Sequence, residues 1–159
     1  MPLPSLFLAA VIGVTDGATL TVRYNRQAIT VHLAEIEAPG LERAFGVKSR
    51  QHLRKLCRGG KAEIRPQFKD RSGGFVADVS CAGKDAGTEQ VRAGLALVDE
   101  RHSTKRVLYE AQANARKLRR GVWTDPKTVS NWENPGSKKS APNPKKVEGA
   151  QASPGSGKG

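Results

Sequence analysis

The sequence is short of aromatic residues, of acids and of cysteine, and each shortage closes off a class of function. Phe, Trp and Tyr make up only 5% of the 159 residues and do not alternate with the basic runs. Base stacking of the kind used by single-strand binders is therefore poorly supported. Asp and Glu number 15 against 27 Lys and Arg, for a formal charge of +12. That imbalance favours polyanionic partners, meaning nucleic acid or an anionic membrane surface. Cys57 and Cys81 are the only cysteines; they form no CxxC pair and have no ligand histidine beside them, which argues against a zinc site. They are either buried thiols or one disulfide, and a disulfide would imply an oxidising compartment. No run of 18 apolar residues exists, so no membrane-spanning helix is expected. The opening MPLPSLFLAAVIGV lacks a positive leader region and reads as a first strand rather than a signal peptide, an expectation of cytoplasmic location. No internal repeat is visible.

What remains is a regular succession of short elements. Leu6 to Val14 is a continuous apolar run of buried-strand length. Thr15-Asp16-Gly17-Ala18 supplies turn chemistry. Thr19 to Tyr24 alternates with Leu20, Val22 and Tyr24 on one face; Ala28 to Leu33 alternates with Ile29, Val31 and Leu33 inward and Thr30 and His32 outward. Residues 34–41 form a loop punctuated by Pro39-Gly40. Arg43 to Arg58 is a helix candidate with Ala44, Val47, Leu53 and Leu56 as its apolar stripe, ended by Gly59-Gly60. Lys61 to Pro66 and Phe75 to Ser80 read as a fourth and fifth strand around the turn KDRSGG. Thr88 to Ala93 is a short helix. Thr104 to Arg120 is the clearest helix, with Val107, Leu108, Ala111, Ala115 and Leu118 as its buried face and Gly121 as its stop.

This order predicts an α+β, β-rich domain over residues 1–133: a five-stranded barrel of the OB type with about three helices. Residues 134–159 lack apolar periodicity, are rich in Gly, Ser, Pro and Lys, and read as a disordered basic tail. The tail carries +4, leaving +8 on the folded part.

In register along this frame, the sequence resembles the staphylococcal nuclease, or thermonuclease, family. Val14 to Thr19, VTDGAT, resembles the family's V-x-D-G-D-T; Val31 to Gly40, VHLAEIEAPG, resembles its x-R-L-x-x-I-D-x-P-E. Asp70 to Ala77, Glu89 to Val98 and Gly121-Val122-Trp123 resemble D-R-Y-G-R-x-x-A, L-V-x-x-G-L-A and G-L-W; Asp125 to Glu133 resembles a trailing segment of many bacterial members. The resemblance implies the barrel fold and metal-assisted phosphodiester hydrolysis. In that chemistry carboxylates hold calcium, a loop acid handles the water, and two arginines stabilise the developing charge.

The positions matching those roles hold other residues. Ala18 stands at a metal carboxylate, His32 at the strand arginine, Gly40 at the loop acid and Gly74 at the second arginine. Glu37 stands at the loop aspartate that binds metal and keeps only its charge. Glu37 and Asp16 remain as candidate metal ligands. Asp16 is expected to serve the turn, Glu35 and Asp78 to face solvent, and His52 and His102 to be surface residues. His32 should point outward, where a protonated ring could donate to a phosphate.

Three functions follow as expectations. The first is a degenerate nuclease domain that binds DNA or RNA through Arg50, Arg54, Lys55 and Arg58 on the first helix and Arg116, Lys117, Arg119 and Arg120 on the last. The second is an active endonuclease with an altered, calcium-dependent site around Glu37. The third is a protein-interaction module built on the same barrel. The family's barrel could also bring Cys57 and Cys81 together, and similar pairs occur in secreted relatives; a bridge would place the chain in the periplasm or outside.

Overall fold

The structure is a computed structural model and describes residues 3–133. The basic tail read at 134–159 lies outside the described residues. Three strands open the chain: β1 (Phe7–Asp16), β2 (Thr19–Tyr24) and β3 (Gln27–Leu33). They form the expected antiparallel meander, with Val11 opposite Val22 and Leu20 opposite Val31. A two-residue strand β4 (Ile36–Glu37) and helix α1 (Gly46–Cys57) follow, then β5 (Lys61–Lys69) and β6 (Phe75–Cys81). β1 pairs with β5, β5 with β6, and β6 returns parallel to β3 through His32–Val76. That last pairing closes a five-stranded barrel and leaves no open edge among its strands. The short β7 (Lys84–Asp85) extends β6, and β8 (Leu97–Val98) pairs with β4. Helices α2 (Ala86–Arg92) and α3 (Arg106–Lys117) pack together over one end. A 3₁₀ turn (Gly121–Thr124) and α4 (Pro126–Glu133) end the described chain.

Alternation built the barrel. Leu20, Val22, Val31, Ile64, Ala77 and Val79 fill its interior with essentially no exposed surface. The disulfide Cys57–Cys81 fastens the end of α1 to the end of β6. Asp85 caps α2, its carboxylate accepting from the Thr88 N–H at 2.9 Å.

Several expectations are corrected. The apolar run of β1 is not buried on both faces: Ala9 is interior, whereas Leu6, Leu8 and Ile12 are exposed, because a barrel strand turns alternate residues outward. α1 begins at Gly46, after Phe45 in a left-handed conformation, so Ala44 lies outside it and Val47 is exposed. α3 buries only Leu108, Ala111 and Ala115. Val107 sits one residue, about 100°, off that stripe, and Leu118 follows the helix end; both are exposed. Arg119 has φ 54°, so the helix stops at Lys117 rather than at Arg120.

Candidate functional site

The Thr15–Ala18 turn is fixed by polar groups that come from far along the chain. The Gln90 side-chain amide, fully buried, donates to Gly17 O at 2.7 Å and to Ser49 O at 3.0 Å. Ser49 Oγ donates to Leu95 O at 2.7 Å. His52, read from the sequence as a surface residue, is half-buried and hydrogen-bonded to the Gln90 carbonyl oxygen. Asp16 does serve the turn: its Oδ1 accepts from the Ala18 N–H at 2.8 Å. Ala18 itself packs its methyl against the core.

His32 points to the outer face of β3 as expected, but both its ring nitrogens meet partners. Nε2 lies 3.2 Å from Asp70 Oδ2, and Nδ1 lies 3.4 Å from Thr19 Oγ1. The imidazole remains 43% exposed. Asp70 Oδ1 accepts from Ser72 N, Ser72 Oγ and Gly74 N, each at 2.9 Å. Desolvation pushes this carboxyl upward, yet the bonds from Ser72 and Gly74 and the attraction of His32 outweigh it and hold it below its ordinary 3.8. Beside it, Gly74 has no room for a side chain: a Cβ there would stand 2.3 Å from Thr30 O. Neither family arginine position can present a guanidinium fork.

The loop after β3 carries the remaining acids. Glu37 is exposed, on the short strand paired with Leu97–Val98. Gly40 leaves a gap, and Glu42 reaches into it: a Cβ on residue 40 would lie 2.6 Å from Glu42 Oε1. Sequence matching missed Glu42; its signal was an acid two residues past the vacated position. Among the described residues, no three His, Cys, Asp or Glu side chains gather closely enough to hold an ion. Calcium takes about six to eight oxygen ligands. With Ala18 lacking a donor and Asp16 Oδ1 engaged by the backbone, the residues present do not fit the ion that the resemblance implies.

Glu35 and Asp78 do not face solvent. Glu35, 12% exposed, accepts from Ser103 Oγ at 2.8 Å and from Gln67 Nε2 at 2.7 Å. Lys105 Nζ lies 2.7 Å from Asp78 Oδ1 and 3.7 Å from Glu35 Oε2. This network ties the loop to the start of α3. Desolvation opposes the Lys105 charge, but Asp78, Glu35 and Asp85 prevail and raise its pKa above the ordinary 10.5. His102 is exposed and paired with Asp99 at 2.8 Å.

The basic candidates are unequal. Arg54, Lys55 and Arg58 are exposed and have no ion pair with a described residue. Arg50 is half-buried, with Nε enclosed and without a hydrogen-bond partner. Arg116 stacks its guanidinium 5.3 Å from the Trp123 ring, and Lys117 closes α3 in the open. Arg119 and Arg120 lie beyond the helix, and Arg120 Nη1 donates to Arg92 O at 3.2 Å.

Comparison with known proteins agrees with this frame. A family profile described as "Staphylococcal nuclease homologue" matches residues 30–125. An "Uncharacterized endonuclease" of Escherichia coli O157:H7 is 32% identical over 123 residues, covering 77% of this chain and 80% of its own. A "Micrococcal nuclease" of Shigella flexneri is 30% identical over 138 residues, covering 80% and 79%. An "Uncharacterized endonuclease" of Haemophilus influenzae is 33% identical over 125 residues, covering 77% and 70%. The closed barrel, the turn held by Gln90 and the motifs in register have their explanation here: the chain belongs to the staphylococcal nuclease family.

Proposed function

We propose that this domain binds nucleic acid through its phosphates and hydrolyses it poorly, if at all, by the metal route of its family. The observation that carries this reading is the His32–Asp70 pair. The one side chain at the arginine positions that can become cationic turns Nε2 to an internal carboxylate. Arg54 and Lys55 on α1, Arg58 just past its end, Lys117 and Arg119 are the open phosphate contacts; Arg50, Arg116 and Arg120 contribute from partly engaged positions. The Cys57–Cys81 disulfide supports placement in an oxidising compartment.

Binding of this kind is salt-dependent, with log K falling by about 0.7 per phosphate contact on a single strand. Titration of a labelled oligonucleotide between low and moderate salt should show that slope, and Arg54→Ala with Lys55→Ala should flatten it. A flat profile in the parent protein would sink the proposal.

One observation favours an active enzyme as the second reading. Glu42 places a carboxylate in the gap at Gly40, and relatives bear nuclease names. Incubation with DNA and with RNA, in calcium or magnesium against a chelator, decides between the two. Cleavage lost in Glu42→Ala or Glu37→Ala would establish the second.

A further inference from the structure

β5 carries an apolar residue that its own alternation should bury. Ala62 and Ile64 point into the barrel and Pro66 continues that face, so Phe68 is next in line. A one-residue bulge intervenes. Pro66 pairs with Ala77 and Phe68 with Val76, so two steps on β5 match one on β6. A bulge of this kind reverses which face the following residues occupy. Phe68 therefore stands on the outer surface, 54% exposed.

The pairing continues from there. Val76 is paired with His32, and His32 with Thr19. Cross-strand partners share a face, so Phe68, Val76, His32 and Thr19 form one row around the outside of the barrel. Two strand spacings separate Phe68 from His32, about 10 Å. Basic residues flank Phe68 along the chain. Arg65, opposite Asp78, lies on the outer face of β5 with Phe68; Lys69, paired with the buried Phe75, is on the other face, and Arg71 stands in the hairpin turn; all three are exposed. None has an ion pair with a described residue, and the hairpin's acid, Asp70, is turned to His32. Phe68 thus belongs to a short stretch, Arg65 to Arg71, that departs from the chain's general separation of aromatic and basic residues.

An isolated exposed apolar residue is ordinary on a protein surface. Phe68 differs because a bulge delivers it there, onto the same face as Arg65 and next to the hairpin that carries Arg71. We propose that Phe68, with Val76 beside it, is a stacking platform for an unpaired base, and that Arg65 and Arg71 hold the adjoining phosphates. The ligand class is single-stranded nucleic acid. A duplex keeps its base faces against one another and offers none to the ring, whereas every unpaired base has an open face. This inference deepens the nucleic-acid-binding reading above and rests on it.

The test compares a thymidine oligonucleotide with a duplex of equal length, at several salt concentrations, on the full chain. Phe68→Ala should weaken single-strand binding about tenfold, leave the salt slope unchanged, and leave duplex binding unchanged. Arg65→Ala with Arg71→Ala should reduce the slope instead. Phe68→Tyr should bind like the parent. In Phe68→Trp, the emission added to that of Trp123 and Trp132 should be quenched by the single strand and not by the duplex. If the parent binds and Phe68→Ala binds equally well, or loses single strand and duplex alike, the platform is wrong while the binding reading stands. If the parent binds neither, both are wrong. Retention by Phe68→Ala of oligonucleotide binding with loss of a protein partner would reassign the surface to protein contact.

Discussion

Gly94 and Gly121 cross with their backbones in contact. Val122 N donates to Gly94 O at 2.8 Å, and a Cβ on Gly94 would lie 2.2 Å from Arg120 O while one on Gly121 would lie 2.1 Å from Gly94 O. Both residues have positive φ, 75° and 53°. This crossing joins the segment after α2 to the 3₁₀ turn behind α3, and explains why two distant glycine motifs belong to one fold. Gly94→Ala meets both the backbone clash and the left-handed strain, and should cost roughly 1–3 kcal/mol or more. Urea unfolding of the variant checks this; an unchanged midpoint would show that the crossing can open without cost.

Asp70 should make the domain acid-sensitive. Its carboxyl is held below 3.8 in the folded chain. The stability it contributes is therefore present above that value and is lost as pH falls through the lower, folded one. Asp70→Asn should remove this part of the acid limb and cost on the order of 1–2 kcal/mol at neutral pH through weakened charge-assisted hydrogen bonds. Unfolding midpoints of parent and variant, measured from pH 6 to about pH 2, should converge toward the acid end.

Lys105 acts at the other end of the scale. Its pKa is raised above 10.5, so its contribution is complete below the unfolded value and disappears as pH rises through the folded one. Lys105→Met should lower stability at neutral pH and flatten the alkaline limb. The variant would leave Glu35 and Asp78 without their shared cation. A parallel offset that persisted to the most alkaline pH would mean the ammonium charge is not what counts.

The Cys57–Cys81 bridge closes a loop with a sequence separation of 24. The chain-entropy relation gives about 3.5 kcal/mol for a loop of that length. Reductant, or Cys57→Ala with Cys81→Ala, should lower the denaturation midpoint by a corresponding amount. Thiol titration of unreduced protein should find no free cysteine, and two titratable thiols would contradict the bridge.

Much of the fold was legible because its signals are local. Leu20, Val22, Ile29, Val31 and Leu33 alternate over runs short enough for a periodicity of two to declare itself, and Asp16-Gly17 marks its own turn. The positions that lost the family's chemistry were legible too, since Ala18 and Gly74 have no functional group to misjudge. Glu35 and Asp78 were misplaced because their partners, Ser103 and Lys105, come from the segment just before α3. Val107 and Leu118 were misplaced because the buried stripe of α3 is narrower than its apolar content.

The sequence by itself determined the strand alternation, the turns, the excess of positive charge and the absence of a guanidinium at the two arginine positions. These follow from side-chain chemistry and near-neighbour geometry. Only the tertiary structure decided that His32 spends its nitrogens on Asp70 and Thr19, that Glu42 fills the gap at Gly40, and that Phe68 faces out. The His32–Asp70 contact depends on barrel closure, and the placement of Phe68 on one bulge in β5. A single inserted residue changes which face a side chain occupies without changing any local propensity.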